Sequence, residues 1–399
     1  MSRAAPTVGT PIPPLARDVV RGLPGSLIRE VANAAMGTEG LRVFWFGEPD
    51  DVTPGFIRDA AITALEAGDT FYGHNLGTPG LRQALSDYLC ALHQPVPADR
   101  IAVTSGGVNA LMLACQLLLS PGDRVSAVVP LWPNLTAMPE ILGARVDRVP
   151  LVMDAQAGRW SLDLDRLLAS ITSGTRLLLL NSPGNPTGWV ASRETLAAIL
   201  AHCRRTGTWI LSDEAYERLV FDAPCAPSML DLAEPDDRLL VANTFSKAWR
   251  MTGWRLGWLV APQACMADLA KLVEFNTSCA PGFVQQAAVA ALRAGEPVVR
   301  DFVTELGRRR DTLVNALRAI PRVRLGMPEG AMYAFFRVDG VDDSLALARA
   351  LIRDAGLGLA PGAAFGPEGE GFLRWCFART APELLDGADR LAAFLARTR

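Results

Sequence analysis

No Cys-x-x-Cys pair occurs in the chain. Its seven cysteines, Cys90, Cys115, Cys203, Cys225, Cys265, Cys279 and Cys376, are scattered and odd in number. That argues against a disulfide framework and against a zinc site, so no metal is expected, and it fits a reduced, cytoplasmic setting. There is no long basic run and no basic amphipathic helix, and the net charge is −3 over 399 residues. Nucleic acid is therefore not an expected partner. No uninterrupted apolar run reaches membrane-spanning length, and Met1 to Pro14 is rich in proline and small residues without the apolar core of a signal peptide. Residues 1–25 read as a mobile arm, and no membrane partner is expected. Internal repeats and low-complexity linkers are absent too. The length exceeds what one growing core accommodates, so two closely packed parts are expected.

What is present is punctuation. Ser26 can cap a helix through Leu27, Ile28, Val31 and Ala35, closed by Gly37. Phe46-Gly47-Glu48-Pro49-Asp50 marks a loop where backbone can approach a ligand. Thr53-Pro54 and Thr78-Pro79 start further helices, with Tyr72 in the loop between them. From Arg100 short apolar runs alternate with helical ones: Ile101 to Thr104, Val125 to Val129, Leu177 to Leu180, Trp209 to Leu211 and Leu239 to Ala242. This alternation predicts an α/β fold, a buried and mainly parallel sheet sandwiched by helices. Past Phe275 come long helices, with Arg308-Arg309-Arg310 read as a solvated face. Shorter strands then follow at Tyr333 to Val338, Leu357 to Ala360 and Phe372 to Phe377, so the tail reads as a smaller α+β domain. The boundaries expected are 26–46 and 296–399 for the smaller part and 47–295 for the larger.

Polar residues gather where each strand ends, which is where sites in such sheets lie. Gly106 and Gly107 follow one strand and open a helix, so the amides of Gly107 and Val108 can face an anion. Asp213 ends another strand, where an unpaired carboxylate is costly and needs a cationic partner. It serves either as a helix cap or as the partner of a cation such as a pyridinium nitrogen. Lys247 follows a third strand, between the hydroxyls of Thr244 and Ser246 and the turn Gly253-Trp254-Arg255-Leu256-Gly257. Burial and a neighbouring cation favour its neutral, nucleophilic amine. The fork of Arg255 matches a phosphate, which Thr244 and Ser246 can also hydrogen-bond.

Seven motifs occur in order. They are Tyr72-x-x-x-x-Gly77, Pro-Leu-Trp-Pro-Asn at 130–134, Asn-Ser-Pro-Gly-Asn-Pro-Thr-Gly at 181–188, Ser-Asp-Glu-Ala-Tyr at 212–216, Ser246-Lys247, Gly-Trp-Arg-Leu-Gly at 253–257 and Phe-Leu-Arg-Trp-Cys-Phe-Ala at 372–378. Together they resemble the fold type I, class I/II pyridoxal phosphate-dependent aminotransferases, from about Ser26 to near the C-terminus. The resemblance implies pyridoxal 5'-phosphate as cofactor, an amino acid and a 2-oxo acid as substrates, and a homodimer. It implies that Lys247 forms the Schiff base and moves the proton, that Asp213 faces the pyridinium nitrogen, and that Asn185 and Tyr216 donate to the cofactor 3-oxygen. Trp132 resembles the ring-stacking aromatic. Gly107, Val108, Thr244, Ser246 and Arg255 resemble the phosphate cup, with Tyr72 reaching the phosphate of the neighbouring subunit. Arg374 resembles the clamp for the substrate α-carboxylate, over which Gly47 closes, and Asn185-Pro186 is a candidate cis peptide.

Trp45, Phe46, Trp132 and Phe275 near the expected loops suggest an apolar or aromatic donor rather than a second carboxylate clamp. Arg250 departs from the family wording by adding charge near the phosphate cup, and His74 reads as a satisfied loop histidine. Lyases and oxidases of the same fold share Lys247 and Asp213, so these motifs do not separate them from transaminases. A cofactor-sensing regulator would need a DNA-binding segment, for which Met1 to Arg29 is too short and proline-rich.

Overall fold

The computed structural model describes residues 16–154 and 158–398. Much of the expected arm, residues 1–15, lies outside the described residues. From Arg17 the chain is docked: the guanidinium donates to the Ile141 carbonyl at 2.6 Å, beside a short helix Asp18–Arg21. The predicted caps form. Ser26 Oγ accepts the Arg29 N–H at the start of helix Leu27–Ala34, and Thr78 Oγ1 accepts the Leu81 N–H at the start of Pro79–Leu92. Each satisfies one of the donors that a helix leaves open.

The larger sheet has eight strands. From edge to edge they are Ile101–Thr104, Gly257–Val260, Leu239–Thr244, Trp209–Asp213, Thr175–Asn181, Arg124–Val129, Arg145–Asp154 and Arg159–Leu162. The five from Leu239–Thr244 to Arg145–Asp154 pair in parallel. Gly257–Val260 was not foreseen as a strand. It runs antiparallel to both of its neighbours, so Ile101–Thr104 keeps the direction of the parallel set. The carboxyl ends Thr104, Val129, Asn181, Asp213 and Thr244 therefore share one edge of the sheet. Leu178 and Leu180 enter one apolar cluster, while Leu177 and Leu179 enter the cluster on the other face. This explains the unbroken Leu177 to Leu180 run: both faces of the strand are covered.

A four-stranded antiparallel sheet orders Val323–Leu325, Tyr333–Val338, Phe372–Cys376 and Ala360–Pro361. Helices Glu296–Arg318, Ser344–Ala355 and Ala381–Arg397 belong to the same part of the chain. The single strand expected from Leu357 to Ala360 is divided. Leu357–Gly358 pairs in parallel with Arg42–Val43, and Ala360–Pro361 joins the larger group. The Arg308-Arg309-Arg310 run is solvated only in part. Arg309 pairs with Asp50 at 3.1 Å and Glu305 at 3.2 Å, and Arg310 covers the Phe221 ring at 4.2 Å. Among the described residues no helix is long and apolar enough to cross a membrane.

Candidate active site

A cavity of about 540 Å³ opens at the shared carboxyl edge, between the large sheet and the small one. Gly47, Gly107, Val108, Trp132, Asn185, Asp213, Tyr216, Thr244, Ser246, Lys247, Arg255 and Arg374 all line it. The sequence places them there by ending strands at Thr104, Asn181, Asp213 and Thr244 and turning the chain sharply after each. Gly106 makes one of these turns with φ of +94°, and a Cβ on it would lie 2.5 Å from Arg255 Nη2. Its bare backbone lets the arginine approach the open N-terminus of helix Gly107–Leu118, which no side chain caps.

Thr244 Oγ1 is directed at Ser246 Oγ (2.9 Å) and the Leu256 carbonyl (3.1 Å), so it braces Ser246 beside the same helix end. Arg255 anchors one nitrogen on the Thr252 carbonyl at 2.7 Å. The Asn185 turn is built by Asn181, whose Oδ1 accepts the Asn185 N–H at 2.8 Å while its Nδ2 donates to the Asp213 carbonyl at 3.0 Å. The Asn185-Pro186 bond is cis, as are Val129-Pro130 and Ser182-Pro183.

Burial pushes the Asp213 carboxyl up to about 6, opposed by the Ala215 N–H at 3.2 Å and by the charge of Lys247. Removal from water pushes the Lys247 amine down to about 8, with Arg374 acting in the same direction and Cys376, Glu48 and Asp213 against it. Lys247 Nζ donates to the Gly47 carbonyl at 2.7 Å. Arg374 is 2% exposed, not a surface residue of an edge strand. Its guanidinium lies over the rings of Tyr333 (4.4 Å) and Phe365 (4.8 Å) and donates to Asn185 Oδ1 at 2.9 Å and to the Trp45 carbonyl.

Two expectations need correcting. Phe275 is 88% exposed and outside the cavity wall, because it caps the end of helix Met266–Glu274 rather than facing the strand ends. Arg250 adds no charge to the cup: it lies over the Phe302 ring at 5.4 Å and faces Asp51 at 3.7 Å, away from the cavity. Tyr72 is 91% exposed and does not meet this chain's own cavity. His74 behaves as read, its Nδ1 accepting the Leu76 N–H at 3.1 Å.

Sequence reading missed Arg29 and Tyr333, which also line the cavity. Arg29 lies over the Phe46 ring at 4.8 Å. It stands three residues after the Ser26 cap, a spacing that puts both on one helix face, and this was the available signal. Among the described residues Arg29, Arg255 and Arg374 have no carboxylate partner, and Arg374 Nε lacks any hydrogen-bond partner. Three unpaired guanidiniums around one cavity call for anionic ligands.

The donor set fits pyridoxal phosphate. An open helix end with Ser246 and Arg255 suits the phosphate, Asp213 suits a protonated ring nitrogen, and Lys247 suits an aldehyde carbon. Comparison with known proteins agrees. Residues 45–391 match the family model described as aminotransferase class I and II. The aspartate aminotransferase of Musicola paradisiaca is 34% identical over 352 residues, 87% of each chain. Aromatic-amino-acid aminotransferase 2 of Thermococcus litoralis is 32% identical over 93% of this chain and 95% of its own. The structure of Thermus thermophilus aspartate aminotransferase with maleate superposes with a TM-score of 0.87 at 30% identity, over 96% of this chain and 100% of that one. The chain belongs to the class I and II aminotransferases, pyridoxal phosphate-dependent enzymes that transfer an amino group.

Proposed function

We propose that the enzyme takes the amino group of an apolar or aromatic α-amino acid and passes it to a 2-oxo acid in two half-reactions at one site. The observation that carries this reading is the convergence on one cavity of a lysine, Lys247, a buried carboxylate, Asp213, and an arginine without a carboxylate partner, Arg374. Bound there, pyridoxal phosphate supplies an aldehyde carbon and a ring that withdraws electrons.

The residues do the rest. Asp213 keeps the ring nitrogen charged, Asn185 and Tyr216 donate to the 3-oxygen, and Trp132 covers one ring face. The amides of Gly107 and Val108, with Thr244, Ser246 and Arg255, hold the phosphate. Arg374, whose Nε has no partner in the chain, grips the α-carboxylate, and Gly47 covers it. Lys247 Nζ takes the α-proton and later returns one, and removal of the amine from water favours the neutral form that accepts it. In this reading residues 47–295 carry the cofactor, and 26–46 with 296–399 supply Arg374. The pairing of Arg42–Val43 with Leu357–Gly358 supports joining those two segments. Tyr72, exposed beside Phe71, serves the phosphate of a second copy, so the active unit is a homodimer in the cytoplasm.

Trp45, Phe46 and Trp132 in the cavity wall support an apolar or aromatic donor. Arg29 favours a second reading, in which a dicarboxylic acid, as donor or acceptor, places its far carboxylate there; the Thermus relative was solved with maleate. An absorbance titration without oxygen tests both. Phenylalanine or leucine is expected to bleach the visible band, and 2-oxoglutarate to restore it. Aspartate outpacing every apolar donor would replace the first reading with the second, and Arg29→Leu would then lower aspartate turnover at least about tenfold. Ammonia release without an acceptor would move the enzyme to the lyases or oxidases.

A further inference from the structure

Tyr333 opens strand Tyr333–Val338, which pairs with Phe372–Cys376 in the register Tyr333 to Cys376 and Phe335 to Arg374. Directly opposed residues share a face, so Tyr333 and Arg374 are diagonal neighbours on the side of the sheet that faces the cavity. Three contacts converge on this one side chain. Its hydroxyl lies 2.8 Å from the Tyr216 hydroxyl, although 117 residues separate the two in sequence. Its ring lies 4.4 Å from the Arg374 guanidinium carbon. Gly47 passes so close that a Cβ there would fall 1.9 Å from the Tyr333 oxygen. Tyr333 is 1% exposed, and burial pushes its phenol up to about 12, so it keeps its proton.

Two neutral phenols in contact share one hydrogen bond and leave one proton over. If Tyr333 donates, Tyr216 keeps a free O–H. The ring of Tyr333 meanwhile lies against the Arg374 guanidinium, as does that of Phe365, so the two rings fix where its unpartnered Nε sits.

The geometry points to Tyr333 as a positioning residue with two separable duties: its hydroxyl donates to Tyr216 and aims the Tyr216 O–H into the cavity, and its ring seats Arg374 for the substrate carboxylate. This rests on the roles proposed above for Tyr216 and Arg374. Neither duty needs Tyr333 to touch the reacting atoms. The hydroxyl acts on the cofactor end of the site through Tyr216, and the ring acts on the substrate end through Arg374.

Two variants separate the duties in the cofactor-loaded enzyme, with Tyr216→Phe as reference. Tyr333→Phe keeps the ring and removes the oxygen. It is expected to move the pH midpoint of the visible absorbance in the same direction as Tyr216→Phe, by about half as much, and to lower kcat about three- to tenfold with KM within twofold. The double variant should move the midpoint no further than Tyr216→Phe alone, since the hydroxyl acts only through Tyr216. Tyr333→Leu removes the ring as well and is expected to raise KM for the amino acid at least tenfold. It should also weaken binding of 2-methylalanine, which carries the carboxylate but has no α-hydrogen to lose. If Tyr333→Leu does not fold, Tyr333→Met replaces it. A midpoint that shifts in Tyr216→Phe but not in Tyr333→Phe overturns the hydroxyl duty while leaving the role of Tyr216 intact. No shift in Tyr216→Phe itself overturns the reading beneath it. An unchanged KM on loss of the ring overturns the second duty.

Discussion

Lys247 Nζ and the carbonyl oxygen of Gly47 are joined by a 2.7 Å hydrogen bond across 200 residues of sequence. The amine is thus held toward the loop expected to cover the substrate carboxylate, and a neighbouring cation, Arg374, helps to keep it short of charge.

The chain has only two lysines, Lys247 and Lys271. Lys271 is exposed and paired with Asp268 at 2.7 Å. Borohydride treatment of the cofactor-loaded enzyme, followed by peptide mapping, should therefore fix the cofactor on Lys247 alone. Lys247→Ala should lose turnover by roughly a thousandfold. Label on Lys271 would refute the assignment.

Asp213→Asn keeps the shape of the strand end and removes its charge. Turnover should fall by about a hundredfold or more, near 3 kcal/mol of transition-state stabilisation. KM should change little, because the proposed role places the group at the cofactor rather than at the substrate. Steady-state kinetics decide this, and a normal kcat would remove Asp213 from the ring nitrogen.

The cofactor-free enzyme should show opposed pH dependences. Lys247 titrates at about 8 when folded against 10.5 ordinarily, so the folded state holds fewer protons than the unfolded one between these values and gains stability as pH rises through that window. Asp213 titrates at about 6 against 3.8, so it binds more protons when folded and stability falls as pH rises from 3.8 to 6. Both groups therefore oppose folding between about 6 and 8. Lys247→Met should stabilise the cofactor-free protein at pH 7 by roughly 3 kcal/mol in urea unfolding, the gain vanishing toward pH 10.5. A gain independent of pH would contradict the assignment of the shift.

Arg148 in the large sheet meets Glu368 in the smaller part through hydrogen bonds of 2.7, 2.9 and 3.1 Å. The pair is mostly shielded from solvent. A double-mutant cycle with Arg148→Met and Glu368→Gln should give a coupling of about 1 kcal/mol. A coupling near zero would mean that packing alone joins the two sheets there.

The parts of this design that were legible in the sequence are the local ones. Ser26 and Thr78 declare their helices because a cap acts within three residues, and Gly106-Gly107, Asp213 and Lys247 declare strand ends because glycine and polar residues interrupt apolar runs. What stayed hidden depends on distant partners. Gly257–Val260 reads as a strand only once both of its neighbours are known. Arg309 looks solvated until Asp50, 259 residues away, is brought to it. Tyr333 carries no signal of its own until Tyr216 and Arg374 surround it.

Helix Glu296–Arg318 contributes no side chain to the cavity, yet it measures out part of it. Glu296 in its first turn receives both contacts of a forked bond from Arg218, at 2.7 and 2.8 Å, two residues past Tyr216. Arg309, further along, holds Asp50 in the loop that begins at Gly47. The helix is a spacer between two edges of the site, and its pitch is part of the specification. One residue inserted between positions 296 and 309 would turn Arg309 about 100° around the axis and off Asp50. Substitutions along the outer face of that segment are cheap, while a change of length there would be felt in the loop that begins at Gly47.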